Sequence, residues 1–216
     1  MFDARMGARK VSSAVVAAFD IDGTLTTRDC VVPFLRSFVG TRALMKGFVG
    51  RPLQSFGALL RRDRHALKTI ALSPLAGRDA DELDAAGERF AREIIPGWLR
   101  ADTVARLKQH LLADHRVVLV SASLSPYVHP LARQLGAEAA LCCELESIEG
   151  RLTGRLDGPN CRGPEKLRRL REWLGDSFDG TELWAYGDSS GDDEMLRAAA
   201  HPTKITRTSR IEERIA

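Results

Sequence analysis

The sequence predicts an α/β chain: a parallel sheet covered by helices on both faces, with a block of helices set in after the first strand. Three observations carry this. Apolar runs at Ala14–Phe19 and Arg116–Val120 alternate with helical patterns, as the buried strands of a parallel sheet do. From about Val31 to Ile95 the pattern is helical throughout and shows no good strand. Polar clusters fall where predicted strands end, and ligands of open parallel sheets bind outside those carboxyl ends.

Taken in order, Ala14–Phe19 is the first strand. Val31, Phe34, Leu35, Phe38 and Val39 recur at helical steps. Residues 42–62 mix apolar side chains with Arg and Lys and are interrupted by Gly47, Gly50 and Pro52. Asp79–Ile95 is a further helix, with Asp79 or Asp81 as its cap and Pro96-Gly97 as its stop. Trp98–Ala113 reads as a helix, Arg116–Val120 as a buried strand, and Pro126–Leu135 as a helix stopped by Gly136. Ala139–Arg155 holds two short strands around the turn Glu149-Gly150. Pro164–Leu174 is a helix, Thr181–Tyr186 a strand, Asp192–Ala200 a helix and Pro202–Thr206 a last short strand.

Asp20-Ile21-Asp22-Gly23-Thr24 is the most informative segment. Side chains at i and i+2 of a strand share a face, so both carboxylates crowd one spot at the strand's end. Adjacent carboxylates repel unless a cation or a shared proton holds them. Ser121/Ser123 form a second cluster at the same sheet edge, and Asp188 with Ser189, Ser190, Asp192 and Asp193 a third. Lys166 lies near a helix start after Gly163-Pro164. The set suits phosphoryl transfer. A carboxylate can attack phosphorus, magnesium takes carboxylate oxygens, and a lysine and a hydroxyl can hold the phosphate.

Composition excludes other classes. With 32 basic and 29 acidic residues the net charge is +3, and scattered basic residues argue against nucleic acid as a partner. No apolar run approaches the ~20 residues of a membrane span. Cys30, Cys142, Cys143 and Cys161 lack metal-ligand spacing and read as reduced thiols, so a cytoplasmic location is expected. Residues 1–13 carry no apolar leader segment. A monomer and a homodimer are equally compatible with the sequence.

Together, Asp20–Thr24, Val120–Ser123, Lys166 and Gly187–Asp192 resemble the four ordered motifs of the haloacid dehalogenase-like (HAD) phosphohydrolases, across residues 14–206. The stretch Gly154–Cys161 before Lys166 is similar to subfamily IB, which includes phosphoserine phosphatase. The resemblance implies a Rossmann-like core of residues 1–30 and 97–216 and an all-helical cap of residues 31–96. It implies a Mg2+-dependent phosphatase acting on a small phosphate monoester, phosphoserine or a related metabolite, through an aspartyl-phosphate intermediate. Asp20 would be nucleophile and metal ligand, and Asp22 the general acid and base with its backbone carbonyl on the metal. Ser121 and Ala122 would bind the phosphate. Lys166 would neutralise charge, Asp188 would ligate the metal, and Asp192 would support the metal shell or orient Lys166.

Asp29 stands near the place where phosphoserine phosphatases carry a glutamate for the substrate amine. It would either receive an amine or cap the next helix. Arg51, Arg61, Arg62 and Arg64 are candidates to meet an acidic substrate group. Ser123 or Ser125 is expected to cap the helix that follows, and Asp193 to be a plain charge at a helix start. Ser121-Ala122-Ser123 departs from the Ser-Gly-Gly common in phosphoserine phosphatases and narrows the space near the phosphate. A phosphotransferase with the same intermediate, or a non-catalytic module that binds phosphate and metal, would share these motifs.

Overall fold

The computed structural model describes residues 14–49, 64–93, 95–206 and 211. Its core is a six-stranded sheet in the order β4-β3-β2-β1-β5-β6. The strands are β1 (Val15–Phe19), β2 (Arg116–Leu124), β3 (Ala139–Ile148), β4 (Arg151–Asp157), β5 (Glu182–Gly187) and β6 (His201–Lys204). All neighbouring pairs are parallel except β3 and β4, which form a hairpin closed by Glu149-Gly150, both at positive φ. The chain leaves β1 for β2 on one side and later returns to β5 on the other. Connections therefore diverge from the carboxyl end of β1, which opens a crevice there.

Val16, Ala17, Ala18 and Phe19 are fully buried, because helices cover both faces of a central parallel strand. Phe19 stacks on Tyr186 of β5 with ring centroids 4.3 Å apart. The core helices are α5 (Ala101–Leu112), α6 (Ser125–Leu135), α7 (Pro164–Leu174) and α8 (Asp193–Ala198). Between β1 and α5 the described residues form helices α1 (Val31–Val39), α2 (Thr41–Val49), α3 (Arg64–Leu72) and α4 (Ala80–Glu93), with short 3-10 turns at Ser73–Leu75 and Ile95–Trp98. No strand occurs among the described residues of this stretch. Asp79 caps α4, its Oδ1 accepting from the amides of Asp81 (3.0 Å) and Glu82 (3.2 Å).

This helical segment docks on the core through aromatic packing. Phe34 of α1 and Phe90 of α4 meet Tyr127 of α6 edge to face, at 4.9 and 5.5 Å between centroids. Helix α4 also approaches α6 at Gly87, where a Cβ would lie 2.1 Å from the carbonyl oxygen of Pro126. Only a glycine permits that backbone contact.

Some boundaries differ from the sequence reading. The Trp98–Ala113 helix starts at Ala101, because Ile95–Trp98 forms its own 3-10 turn. Strand β2 runs on to Leu124, so Ser121–Ser123 lie inside it rather than after it. Its pairing goes from Val120↔Leu141 to Leu124↔Cys143, an advance of four residues against two. The surplus forms a bulge that re-aims the serines.

Candidate active site

Asp20 directly follows β1, and its amide donates to the Tyr186 carbonyl of β5 (3.0 Å). The chain then turns, with Thr24 and Thr26 amides returning to the Ile21 carbonyl. Gly23 makes the turn possible at φ +85°. A Cβ there would lie 2.3 Å from Asp188 Oδ2, so the missing side chain is what lets Asp188 close on the turn. The loops carrying Lys166 and Asp192 are tied together by the Gly163 amide, which donates to the Gly191 carbonyl (2.8 Å).

Lys166, at the start of α7, lies between two carboxylates. Its Nζ donates to Asp20 Oδ1 (2.5 Å) and Asp192 Oδ1 (2.6 Å). All three side chains are buried. Burial alone would discharge the ammonium, but Asp20 and Asp192 outweigh it and hold its pKa raised. Asp20 is pushed up to about 6, chiefly by burial, which Lys166 only partly offsets while Asp192 and Asp188 add repulsion. Burial also works upward on Asp192. The Lys166 ammonium and the Ser189 amide and hydroxyl, both bonded to Asp192 Oδ2, overcome it and leave that carboxyl lowered.

Asp188 is raised by burial and by Asp192, and its Oδ1 is a buried acceptor without a donor. Carboxylate oxygens of Asp20, Asp188 and Asp192 all lie within 4.8 Å of one another. Crowded, partly uncompensated carboxylate oxygens are the donor set a hard divalent cation takes. The residues present fit magnesium.

Asp22 stands apart from that network. Its Oδ2 accepts from the Ser123 hydroxyl (2.5 Å) and its Oδ1 from the Cys30 amide (2.9 Å). Burial, with repulsion from Asp29 and Asp20, pushes it up to about 7 despite those bonds. The two aspartates of the first motif thus have different surroundings: Asp20 meets a lysine, Asp22 only neutral donors.

Ser121 is buried, its Oγ accepting from the Ser123 amide (3.1 Å). Ser123 does not cap α6, because its hydroxyl is spent on Asp22. No side chain caps that helix, which follows Leu124 directly. Asp29 is exposed, and its Oδ1 accepts from the Val32 amide (3.2 Å) at the start of α1, as the capping alternative expects. Asp193 pairs with Lys204 (3.0 Å) at the surface. Arg51, Arg61 and Arg62 lie outside the described residues, and Arg64 opens α3.

Lys68 of α3 belongs to none of the sequence motifs. It is buried, and its ammonium donates to the Ala122 carbonyl, to Asn160 Oδ1 (3.0 Å) and to Cys143 Sγ (3.2 Å). It thereby ties the helical segment to the serine bulge. A signal existed: Lys68, Ala71, Leu72 and Leu75 form one helical stripe, and the last three are core residues. A lysine in an apolar stripe marks a buried polar contact.

The haloacid dehalogenase-like hydrolase family model matches residues 17–197. The chain belongs to that family. Protein CicA of Caulobacter vibrioides is 37% identical over 86% of this chain and 83% of its own length. Phosphoserine phosphatase SerB1 of Mycobacterium tuberculosis is 29% identical over 93% of this chain and 68% of its own. A crystal structure of a Bordetella pertussis protein of unknown function superposes with a TM-score of 0.69 at 26% identity, over 89% of this chain and 90% of that one. The chain falls among the HAD family's phosphoric monoester hydrolases. Among its described residues no helix is long and apolar enough to cross a membrane.

Proposed function

We propose that this HAD hydrolase cleaves a small phosphate monoester in two steps, with Asp20 as nucleophile, Asp22 as acid and base, and Mg2+ as cofactor. The observation that carries the reading is the separation of the two aspartates. Asp20 lies against Lys166, while Asp22 is held by Ser123 and Cys30 with a pKa pushed to about 7 by burial. A carboxyl titrating there can both give and take a proton near neutrality.

In the first step an Asp20 carboxylate oxygen attacks phosphorus, the bond to the ester oxygen breaks, and Asp22 protonates the leaving alkoxide. In the second, Asp22 takes a proton from water, the hydroxide attacks the aspartyl phosphate, and inorganic phosphate leaves with Asp20 restored. Ser121 and the Ala122 backbone bind the phosphoryl oxygens. Lys166 balances their charge, and Asp192 orients Lys166. Asp20, Asp188 and the Asp22 carbonyl would hold the magnesium ion, which supplies charge stabilisation to the phosphoryl group when bound. Helices α1–α4, within residues 31–96, act as a cap that excludes water and selects the substrate.

The name of SerB1 supports phosphoserine or a related metabolite as substrate. The side chains of Ala122 and Ser123, and Asp29 engaged at a helix start, favour a relative of phosphoserine over phosphoserine itself. The test is Asp20→Asn, assayed on a generic aryl phosphate with magnesium and then on a panel of phosphate esters. Activity should fall at least about 10³-fold. Turnover comparable to the parent overturns the mechanism.

A further inference from the structure

A second cluster of ligand side chains lies away from the catalytic carboxylates, between α6 and β3. His129 sits on α6, while Cys142 and Glu144 share one face of β3 two residues apart. His129 Nε2 is 3.2 Å from Glu144 Oε1, Cys142 Sγ is 3.7 Å from the same oxygen, and all three ligand atoms lie within 4.8 Å of one another. We propose that His129, Cys142 and Glu144 form a three-ligand site for a borderline-soft divalent cation, zinc in particular, with water in the fourth position.

The spacing supports it. Zinc bonds of about 2.0–2.1 Å to nitrogen, 2.3 Å to sulfur and 2.0–2.2 Å to a carboxylate oxygen, at tetrahedral angles, put N···O at about 3.4 Å and S···O at about 3.6 Å. The distances found, 3.2 and 3.7 Å, need shifts of only a few tenths of an ångström. The donor set separates this site from the catalytic one. Nitrogen and thiolate suit zinc, whereas the all-oxygen set around Asp188 suits magnesium.

Access and charge also fit. Cys142 is buried at 1% exposure, while the His129 and Glu144 side chains are 45% and 47% exposed. The thiol therefore forms a floor beneath two reachable donors, leaving the fourth position toward solvent. A cleft of about 380 Å³ lined by Cys142, Glu144, Arg168, Arg169 and Trp173 offers an entry path. The arginines bordering it are paired with Glu165 and Glu172, so they do not present unmatched positive charge. From α4, Asp84 feels the charges of both Glu144 and His129, while Glu88 near it is paired with Arg133 of α6. A bond from the Ser125 hydroxyl steadies Glu144 as an outer-shell partner does. Binding releases the Cys142 thiol proton to solvent as the sulfur–metal bond forms. An ion here would join α6 to β3 just behind the serine bulge.

The inference does not depend on the phosphatase reading, and the test keeps them apart. The full chain is stripped with a chelator, returned to excess Mg2+, and titrated with Co2+ as a spectroscopic stand-in for zinc. A near-ultraviolet thiolate-to-cobalt band should saturate at one Co2+ per chain, be discharged by Zn2+, and persist in Asp20→Asn. Cys142→Ser should abolish the band. His129→Ala and Glu144→Gln, at exposed positions that leave the buried floor intact, should each weaken binding by more than the about 10–100-fold typical of outer-shell partners. No thiolate band at saturating Co2+, or a band unchanged in both surface variants, overturns the proposal.

Discussion

Lys166 of the core and Lys68 of the helical segment are both buried amines, yet they meet different company. Lys166 lies between the carboxylates of Asp20 and Asp192. Lys68 meets a carbonyl, an amide oxygen and a thiol, and no carboxylate pairs with it among the described residues. The first arrangement balances charge with charge at the reacting centre. The second uses an ammonium as a strong donor that fixes backbone. A third buried cationic type, His110, marks the other limit. Its ring bonds His115 and Tyr186, both at 2.8 Å, and faces no acid. Burial, with His115, Arg106 and His201 adding repulsion, lowers its pKa to about 3. Lys166 thus keeps its charge beside two carboxylates, whereas His110, with no acid facing it, stays neutral.

The largest effect should follow from breaking the Lys166 network. Lys166→Met leaves Asp20 and Asp192 buried without their counter-charge. Removing one partner of such a network typically costs about 3–5 kcal/mol. Denaturant unfolding without added metal should show a loss of that size, with phosphatase activity abolished. A variant as stable as the parent would mean that the carboxylates simply take up protons, and that the charge pairing is not what holds the site.

A smaller loss is expected at Lys68. Lys68→Met strands the Ala122 carbonyl beside Ser121, and a lost hydrogen bond to a charged group is worth about 1.5–3 kcal/mol, or about 10–100-fold. That loss should appear in kcat/KM, with Lys68→Arg restoring part of it. Parent-like kinetics in Lys68→Met would separate the helical segment from the phosphate loop and erase the contrast between the two lysines.

The His110 limit is read through pH. Its folded pKa of about 3 lies below the usual 6.5, so between those values the unfolded chain binds a proton the native chain refuses. Stability is therefore complete above pH 6.5 and falls as pH drops toward 3, by up to about 1.4 kcal/mol per pH unit. In His110→Gln this part of the acid slope should vanish from unfolding curves. An unchanged slope would assign the acid sensitivity to the carboxylates.

What could be read from sequence follows the range of the interactions. Asp20, Asp22, Lys166, Asp188 and Asp192 each sit at the end of a strand or the start of a helix, where local pattern fixes their position, and a parallel sheet brings such ends together. Ser123 has the local pattern of a cap, yet the bulge that carries it is a matter of pairing between β2 and β3, which neither strand announces alone. Lys68 is hidden for a similar reason. It meets a carbonyl 54 residues away, and only the docking of α3 decides that. The Lys68–Ala71–Leu72–Leu75 stripe held the clue, but a charged residue there looks like an edge of the stripe until a partner is found. Cys142 and Cys143 show the limit of spacing rules. Alternation sends them to opposite faces, as their sequence requires, and the ligands near Cys142 come from a helix turn and a strand position that no short motif links.

The smallest effect should come from a charge pair on the same helix as Lys166. Arg168 binds Glu165 (2.8 Å) and Glu172 (3.1 Å), and its side chain is 56% exposed. Glu165 is lowered to about 2, chiefly by its bond with Arg168, yet Arg169 also holds it at 2.8 Å. In water the gain from such a pair is largely cancelled by solvation and side-chain entropy. Arg168→Ala should therefore leave the denaturation midpoint and the kinetics indistinguishable from the parent. Glu165 and Lys166 are neighbours in sequence, and both make short ion pairs. If removing Arg168 destabilised the chain as much as removing Lys166, burial would not be what separates a pair that holds the site from one that decorates the surface.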